Sequence, residues 1–231
     1  MSNSSNPLLE DKQGWDEYWG KKKSSGGFVY DLIAEFYRKF LIRPSLNHFI
    51  KKYFKPGAKL LHAGCGSGQV DADIRGAVNI TGLDISLGAL EIYRRENGPT
   101  SQTIHGSIFQ IPAPNASFVG IYNLGVMEHF SEEEIHSILI EFKRVLSPDG
   151  KLVIFWPPEF GLSVLFFKAL KKILKILTRK EFKFHPDEIC RIQSKKHALD
   201  IFSRAGFNVL EYSFGPRDVF TYAIIVAEVH H

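Results

Sequence analysis

The stretch KLLHAGCGSGQ, residues 59–69, constrains this chain more than any other. A short apolar run ends in three glycines on alternate positions, Gly64, Gly66 and Gly68. Glycine reaches backbone conformations closed to other residues and lets a ligand approach the main chain with no side chain between them. At the end of a buried strand, such a turn marks the carboxyl edge of a parallel sheet, where open α/β folds bind their ligands. The apolar run also contains a histidine, His62, among aliphatic residues.

The rest of the chain supplies the sheet. Residues 59–63 (KLLHA), 78–83 (VNITGL), 118–124 (FVGIYNL) and 151–156 (KLVIFW) read as buried strands, with Thr103–His105 as the core of another. Helical patterns lie between them. One follows Ser86, an N-cap. A second, SEEEIHSILIEFKRVL, opens on Ser131 with Glu134 as its capping-box partner; Lys143 and Arg144 lie in its last turn, and Pro148 and Gly150 stop it. A third runs from Ser194 to Ala205 and stops at Gly206. FNVLEYSF (207–214) and TYAIIVAEV (221–229) are separated by too few residues for a crossover helix, so this pair is expected to be antiparallel. Alternating strands and helices predict an α/β fold, a mostly parallel sheet with helices on both faces. Residues 1–57 read as a helical N-terminal cap over the ligand edge, with aromatic residues Trp15, Tyr18, Trp19, Tyr30, Phe36 and Tyr37. Residues 58–231 read as the core of the same single domain, with an insertion over 157–193 after the fifth strand.

Composition narrows the class. A chain of 231 residues with 44% hydrophobic and 23% charged residues can bury a substantial core. Its two cysteines, Cys65 and Cys190, stand far apart in unlike contexts, which excludes a disulfide framework and a zinc pattern; no metal is expected. The N-terminus lacks the basic start and apolar core of a signal peptide, and no apolar run approaches the roughly 20 residues of a membrane span. A cytoplasmic location is therefore expected. His230 and His231 read as a tag remnant.

Two cofactor classes compete for the glycine turn. A dinucleotide site wants G-x-G-x-x-G, but the sixth position here is Gln69. The spacing present is the alternating one. Asp84 ends the second strand, where a carboxylate would accept hydrogen bonds from both hydroxyls of a ribose, and it fits either class.

Taken with their order along the chain, these motifs resemble the class I S-adenosylmethionine-dependent methyltransferases, nearest to the group that methylates small molecules, quinones and lipid precursors. LLHAGCGSG resembles the first motif of that family, ITGLDIS the second and HGSIFQIP the adenine-side motif. FVGIYNLGVMEHF resembles the segment after the fourth strand, and EFKRVLSPDGKLVIFWPP the helix, turn and strand that come next. The resemblance implies a Rossmann-like, seven-stranded sheet with an antiparallel last strand, and S-adenosyl-L-methionine as cofactor with S-adenosyl-L-homocysteine as product. By the same resemblance Gly64, Cys65 and Gly66, in the loop closed by Gly68, would pass beneath the methionine part. Asp84 would bind the ribose, and Ile85 and Ile108 would pack on the two faces of the adenine. Ser107 stands where the family has Asp against the adenine amino group. Asn123, Leu124 and Gly125 would line the cofactor near its sulfonium. His62 replaces an acid that helps fix the glycine loop and reaches toward the cofactor ammonium. It would accept a hydrogen bond from that amine or a loop N–H, or be satisfied by neighbouring backbone. His129, in MEHF, is a candidate general base, with pocket lining and helix capping as alternatives.

The insertion carries a separate signal. Placed on a helix, residues 162–179 segregate leucines, isoleucines and phenylalanine from Lys168, Lys171, Lys172, Lys175 and Arg179. Such a helix packs on its own domain, lies in a membrane interface or docks a nucleic acid; aliphatic residues in place of aromatic or polar readers disfavour the last. The sequence thus predicts methyl transfer to a small or lipid-like acceptor at oxygen or carbon, with 162–179 either packed on its own domain or making peripheral contact at the inner face of the membrane. The alternatives are a cofactor-binding protein without catalysis and an RNA or protein methyltransferase.

Overall fold

The computed structural model describes residues 14–15, 38–162, 164 and 189–230. Tyr18, Trp19, Tyr30, Phe36 and Tyr37 of the expected cap, and nearly all of the expected 162–179 helix, lie outside those residues. Seven strands are described: β1 (Lys59–Ala63), β2 (Asn79–Asp84), β3 (Gln102–His105), β4 (Phe118–Leu124), β5 (Leu146–Trp156), β6 (Phe207–Ser213) and β7 (Ala223–Val229). They form one sheet in the order β3-β2-β1-β4-β5-β7-β6. The chain divides into two compact units, Met1–Ala113 and Pro114–His231.

In the first unit β1, β2 and β3 are parallel, with Leu61 opposite Thr81 and Leu83 opposite Ile104. Leu60, Leu61 and Ala63 are buried although successive residues of a strand face opposite sides, as expected of a parallel sheet covered on both faces. Helix α1 (Arg43–Tyr53) follows a π-turn at Arg38–Ile42 that no sequence signal announces. It starts with Pro44 in its first turn, where the missing N–H removes no helical bond, and buries Leu46, Phe49 and Ile50. Helix α2 (Leu87–Asn97) is capped by Ser86, whose Oγ accepts the Ala89 N–H.

In the second unit β5 runs parallel to β4 and antiparallel to β7, and β7 is antiparallel to β6. Helix α3 (Glu132–Val145) opens with the expected capping box: Ser131 Oγ accepts the Glu134 N–H at 3.3 Å and the Glu134 carboxylate accepts the Ser131 N–H at 2.8 Å. Helix α4 (Lys195–Arg204) is capped by Ser194 and ends before Gly206 at φ +77°.

One boundary differs from the sequence reading. Residues 147–150, expected as a free turn, form a bulge inside β5, which starts where α3 ends. Leu146 already pairs with Phe118, and the register resumes at Lys151 opposite Gly120. The side chain of Leu146 is buried, so the chain enters the sheet there before the Pro-Asp-Gly excursion. A Cβ on Gly150 would come within 2.8 Å of Leu146 Cδ2 and Ser147 O, which explains the glycine.

Replacing Ser131 by Ala removes one half of the capping box. The expected cost is about 1 kcal/mol of stability. Thermal unfolding should show the midpoint falling by about 2–4 °C for a chain of this size.

Candidate functional site

All three glycines of the first turn adopt left-handed conformations, with φ of +69° at Gly64, +51° at Gly66 and +62° at Gly68. This conformation is costly for other residues and explains the alternating spacing. The turn is fastened to the end of β2. Leu83 O accepts the N–H groups of Gly64 and Cys65 at 2.8 and 2.9 Å, and Asp84 Oδ2 accepts that of Gly66 at 2.9 Å. Gly68 also leaves no room for a side chain, because a Cβ would sit 2.3 Å from the Tyr93 ring and 2.5 Å from Asn97 Nδ2.

The segment after the glycines separates the two cofactor classes. Gln69–Asp73 is a single 3-10 turn of five residues. A dinucleotide fingerprint instead places its pyrophosphate on the N-terminus of a full α-helix, which would bring a row of N–H donors and a dipole. Gln69 is held from the α1 side: Arg38 Nη1 donates to its Oε1 at 3.0 Å and Arg43 Nε to its carbonyl at 2.7 Å.

His62 finds its partner in a residue that carries no signal in the sequence. Its Nδ1 lies 2.9 Å from Asp71 Oδ2, and the Tyr93 hydroxyl donates to the same oxygen at 3.0 Å. All three residues are buried. The acid absent from the strand is thus present nine residues later, in the 3-10 turn. Burial and the neighbouring Asp71 push the Tyr93 hydroxyl far above its usual range, so it stays a neutral donor.

Asp84 is 7% exposed, with Oδ1 accepting the Ser86 N–H and Oδ2 the Gly66 N–H, each at 2.9 Å. Of the roughly four lone-pair sites of a carboxylate, the N–H groups of Ser86, Gly66 and Ile85 leave capacity for a further donor. Burial raises its pKa above the ordinary aspartate value, opposed by the Ser86 and Gly66 N–H groups and by His62. The Cys65 thiol is pushed well upward, first by burial and then by Asp84 and Asp71. It is therefore a neutral thiol lining the turn, with no nucleophilic character.

The remaining residues of this unit line the same edge. Ile85 is half-buried and its carbonyl accepts from His105 Nε2 at 3.0 Å. Ser107 Oγ accepts the Phe109 N–H at 3.2 Å, Ile108 is buried, and Gly106 N–H ties this loop to Asp84 O.

In the second unit Asn123 is fully buried, yet among the described residues neither its Oδ1 nor its Nδ2 has a hydrogen-bond partner. Each such group left unpaired costs about 1–3 kcal/mol. Leu124 and Gly125 are half-buried, and Gly125, at φ +66°, donates to Phe155 O. A Cβ there would lie 3.3 Å from Glu128 Oε1 and 3.6 Å from the Tyr222 hydroxyl. His129 ends the short turn Met127–His129 and is half-buried. The carbonyl of Glu128 accepts the N–H groups of Ile189 and Cys190, and the Trp156 indole donates to Cys190 O. Asp71, Tyr93 and Tyr222 escape sequence reasoning, for none sits in a spacing pattern.

Asp71→Ala should remove the acceptor shared by His62 and Tyr93 and destabilise the protein by about 2–4 kcal/mol, whereas Tyr93→Phe should cost only about 1 kcal/mol. Urea unfolding distinguishes the two; equal losses would show that the carboxylate is not the centre of the cluster.

Residues 61–154 match the family described as a methyltransferase domain. The chain is 28% identical over 166 residues to the sterol 24-C-methyltransferase ERG6B of Gibberella zeae, covering 68% of this chain and 41% of that protein. It is 24% identical over 181 residues to the demethylmenaquinone methyltransferase of Bacillus cereus, covering 70% and 76%. The chain therefore spans about two fifths of the sterol enzyme's length. Among solved structures it resembles the Burkholderia thailandensis 1,6-didemethyltoxoflavin-N1-methyltransferase with bound 1,6-didemethyltoxoflavin and S-adenosylhomocysteine. The TM-score is 0.66 at 14% identity, with 100% of this chain and 93% of that one covered, which establishes a shared fold.

Proposed function

We propose, from the match of residues 61–154 to a methyltransferase domain and the likeness to named methyltransferases, that the protein is a class I S-adenosylmethionine-dependent methyltransferase that transfers a methyl group to a small or lipid-like acceptor, at oxygen or carbon. The cofactor supplies a methyl group activated on a sulfonium, and the task of the protein is to bind, align and exclude water. One observation carries the reading: Asp84, buried at the end of β2 and clamped to the glycine turn, with acceptor capacity left for a further donor.

In this reading Asp84 accepts the ribose hydroxyls, while Gly64, Cys65, Gly66 and Gly68 present bare backbone to the methionine part. Ile85 and Ile108 cover the adenine. Ser107, whose hydroxyl is engaged by the Phe109 N–H, leaves recognition of the adenine edge to the backbone of its loop. Asn123, Leu124 and Gly125 face the sulfonium, and the unpaired amide of Asn123 fits a ligand with polar groups. His62 contributes through Asp71: their hydrogen bond ties β1 to the turn after the glycines and keeps an acid beside the strand position that lacks one. This acid weakens the case for a binding protein that has lost catalysis. His129 would take the acceptor's proton where an oxygen or carbon must lose one. The lipid-like class is supported by the relatives, whose names specify a sterol and a quinone, both largely apolar.

Calorimetry should show binding of S-adenosylmethionine or S-adenosylhomocysteine at roughly micromolar Kd. Asp84→Ala should weaken it by about 2 kcal/mol or more; unchanged affinity would remove the ribose from this position. Affinity should also fall with acidification, beginning above the ordinary aspartate range because protonation costs Asp84 an acceptor. Stability of the free protein moves the other way. With the folded pKa raised, the native state holds more protons than the unfolded one across that window, so stability falls as pH rises through it.

Once an acceptor is found by tritium transfer into cell-extract fractions, His129→Ala should lower turnover by about 10²-fold or more with little change in cofactor affinity. Equal losses in both would assign His129 to the pocket wall.

A further inference from the structure

The tip joining β6 to β7 carries a conformation that ordinary turns avoid. Val219 and Phe220 both adopt φ of +56°, side by side, and neither is glycine. For a β-branched residue this is an outlier, and such strain persists only where the surroundings enforce it. The enforcement is visible: Val219 N–H donates to Pro216 O, Phe220 N–H to Gly215 O, and Leu162 N–H to Phe220 O. The loop after β5 is pressed against the tip at Gly161, where a Cβ would lie 3.0 Å from Thr221 O and 3.1 Å from Pro158 O.

This rigid junction displays apolar side chains to solvent. Phe160, Leu162, Val219 and Phe220 are 41%, 48%, 45% and 39% exposed. Phe160 and Phe220 stand edge-on to Phe214 from either side, at 5.0 and 5.5 Å between ring centroids. Phe214 thus props the two exposed rings. A protein that uses strain to hold large apolar residues in water has an occupant for them.

Charge identifies the occupant. The chain leaves the knuckle at Leu162 and returns at Ile189, where the backbone is bound by Glu128 O. Residues 163–188 between them contain seven of the 29 Lys and Arg and three of the 25 Asp and Glu, leaving 22 of each elsewhere. The entire net charge of +4 therefore resides in the stretch that emerges from the apolar knuckle. Large apolar side chains followed directly in the sequence by concentrated positive charge match a bilayer interface with anionic headgroups.

We propose that the knuckle formed by Phe160, Leu162, Val219 and Phe220 inserts into an anionic lipid surface and seats the protein on it. The knuckle lies at the end of β5 and the start of β7. Because β4 runs parallel to β5, Asn123–Gly125 share that edge of the second unit. An apolar acceptor leaving the bilayer would enter there, which is the part of the inference that rests on the proposed function; surface binding itself does not.

The test is co-sedimentation with vesicles of phosphatidylcholine alone and with phosphatidylserine added, alongside cofactor calorimetry. Binding to the anionic vesicles is expected, with at least a tenfold loss in Phe160→Ser/Phe220→Ser while circular dichroism and cofactor affinity persist. Should that pair fail to fold, Phe220→Trp reads the same contact, through a blue shift and quenching by brominated lipid. Unchanged vesicle binding in the folded serine pair, an unquenched tryptophan, or equal binding to neutral vesicles would overturn the proposal. Salt-sensitive RNA binding with no vesicle binding would overturn it as well. Asp84→Ala separates the two readings, since it should weaken cofactor binding by roughly 30-fold or more and leave sedimentation intact.

Discussion

The carboxylate of Asp84 fastens two chain segments to the end of β2. One oxygen holds the N–H of Gly66 in the first turn and the other the N–H of Ser86 at the start of α2. Leu83 O adds two more bonds to the same turn. Without them, three left-handed glycines on alternate positions would be among the most mobile stretches of the chain, because glycine has the most conformational freedom to lose. The clamp requires a buried charge, and the raised pKa of Asp84 measures how poorly burial suits it. A group with that cost is retained where it has a further partner.

The His62–Asp71 pair keeps an acid within hydrogen-bond reach of a strand position that lacks one. A histidine in the strand reads, by sequence alone, as the loss of an acid. In three dimensions the acid is one hydrogen bond away, on a turn that the glycine loop feeds directly. Tyr93 reaches the same oxygen from α2, and Gly82 opposite His62 has no side chain because the Tyr93 ring and Cys65 Sγ fill that space. Strand, turn and helix are thus joined through a single carboxylate.

The strands were legible because buried parallel strands have a short, uninterrupted apolar signature, and the helices because Ser86, Ser131 and Ser194 are N-caps with a physical reason to be serine. Asp84 and the glycines were legible together, since each explains the other. The rest obeys no periodicity. Ser147–Gly150 reads as a turn whether it lies outside β5 or bulges within it; only the burial of Leu146 decides. Asp71 meets His62 through a 3-10 turn, whose three-residue period matches neither the helical nor the strand repeat. The knuckle was the least legible, because no local rule places valine or phenylalanine in a left-handed turn.

Strand β7 lies between β5 and β6 although it is the last of the three along the chain. A chain emerging from the ribosome presents β6 first, with no edge of β5 that it can keep, because the neighbour it pairs with does not yet exist. Both ladders of this half therefore depend on β7, which pairs with β5 on one side and β6 on the other. Loss of a few residues from β7 would remove the partner of β6 and expose the edge of β5, converting a finished sheet into two open edges with a tendency to pair with other chains.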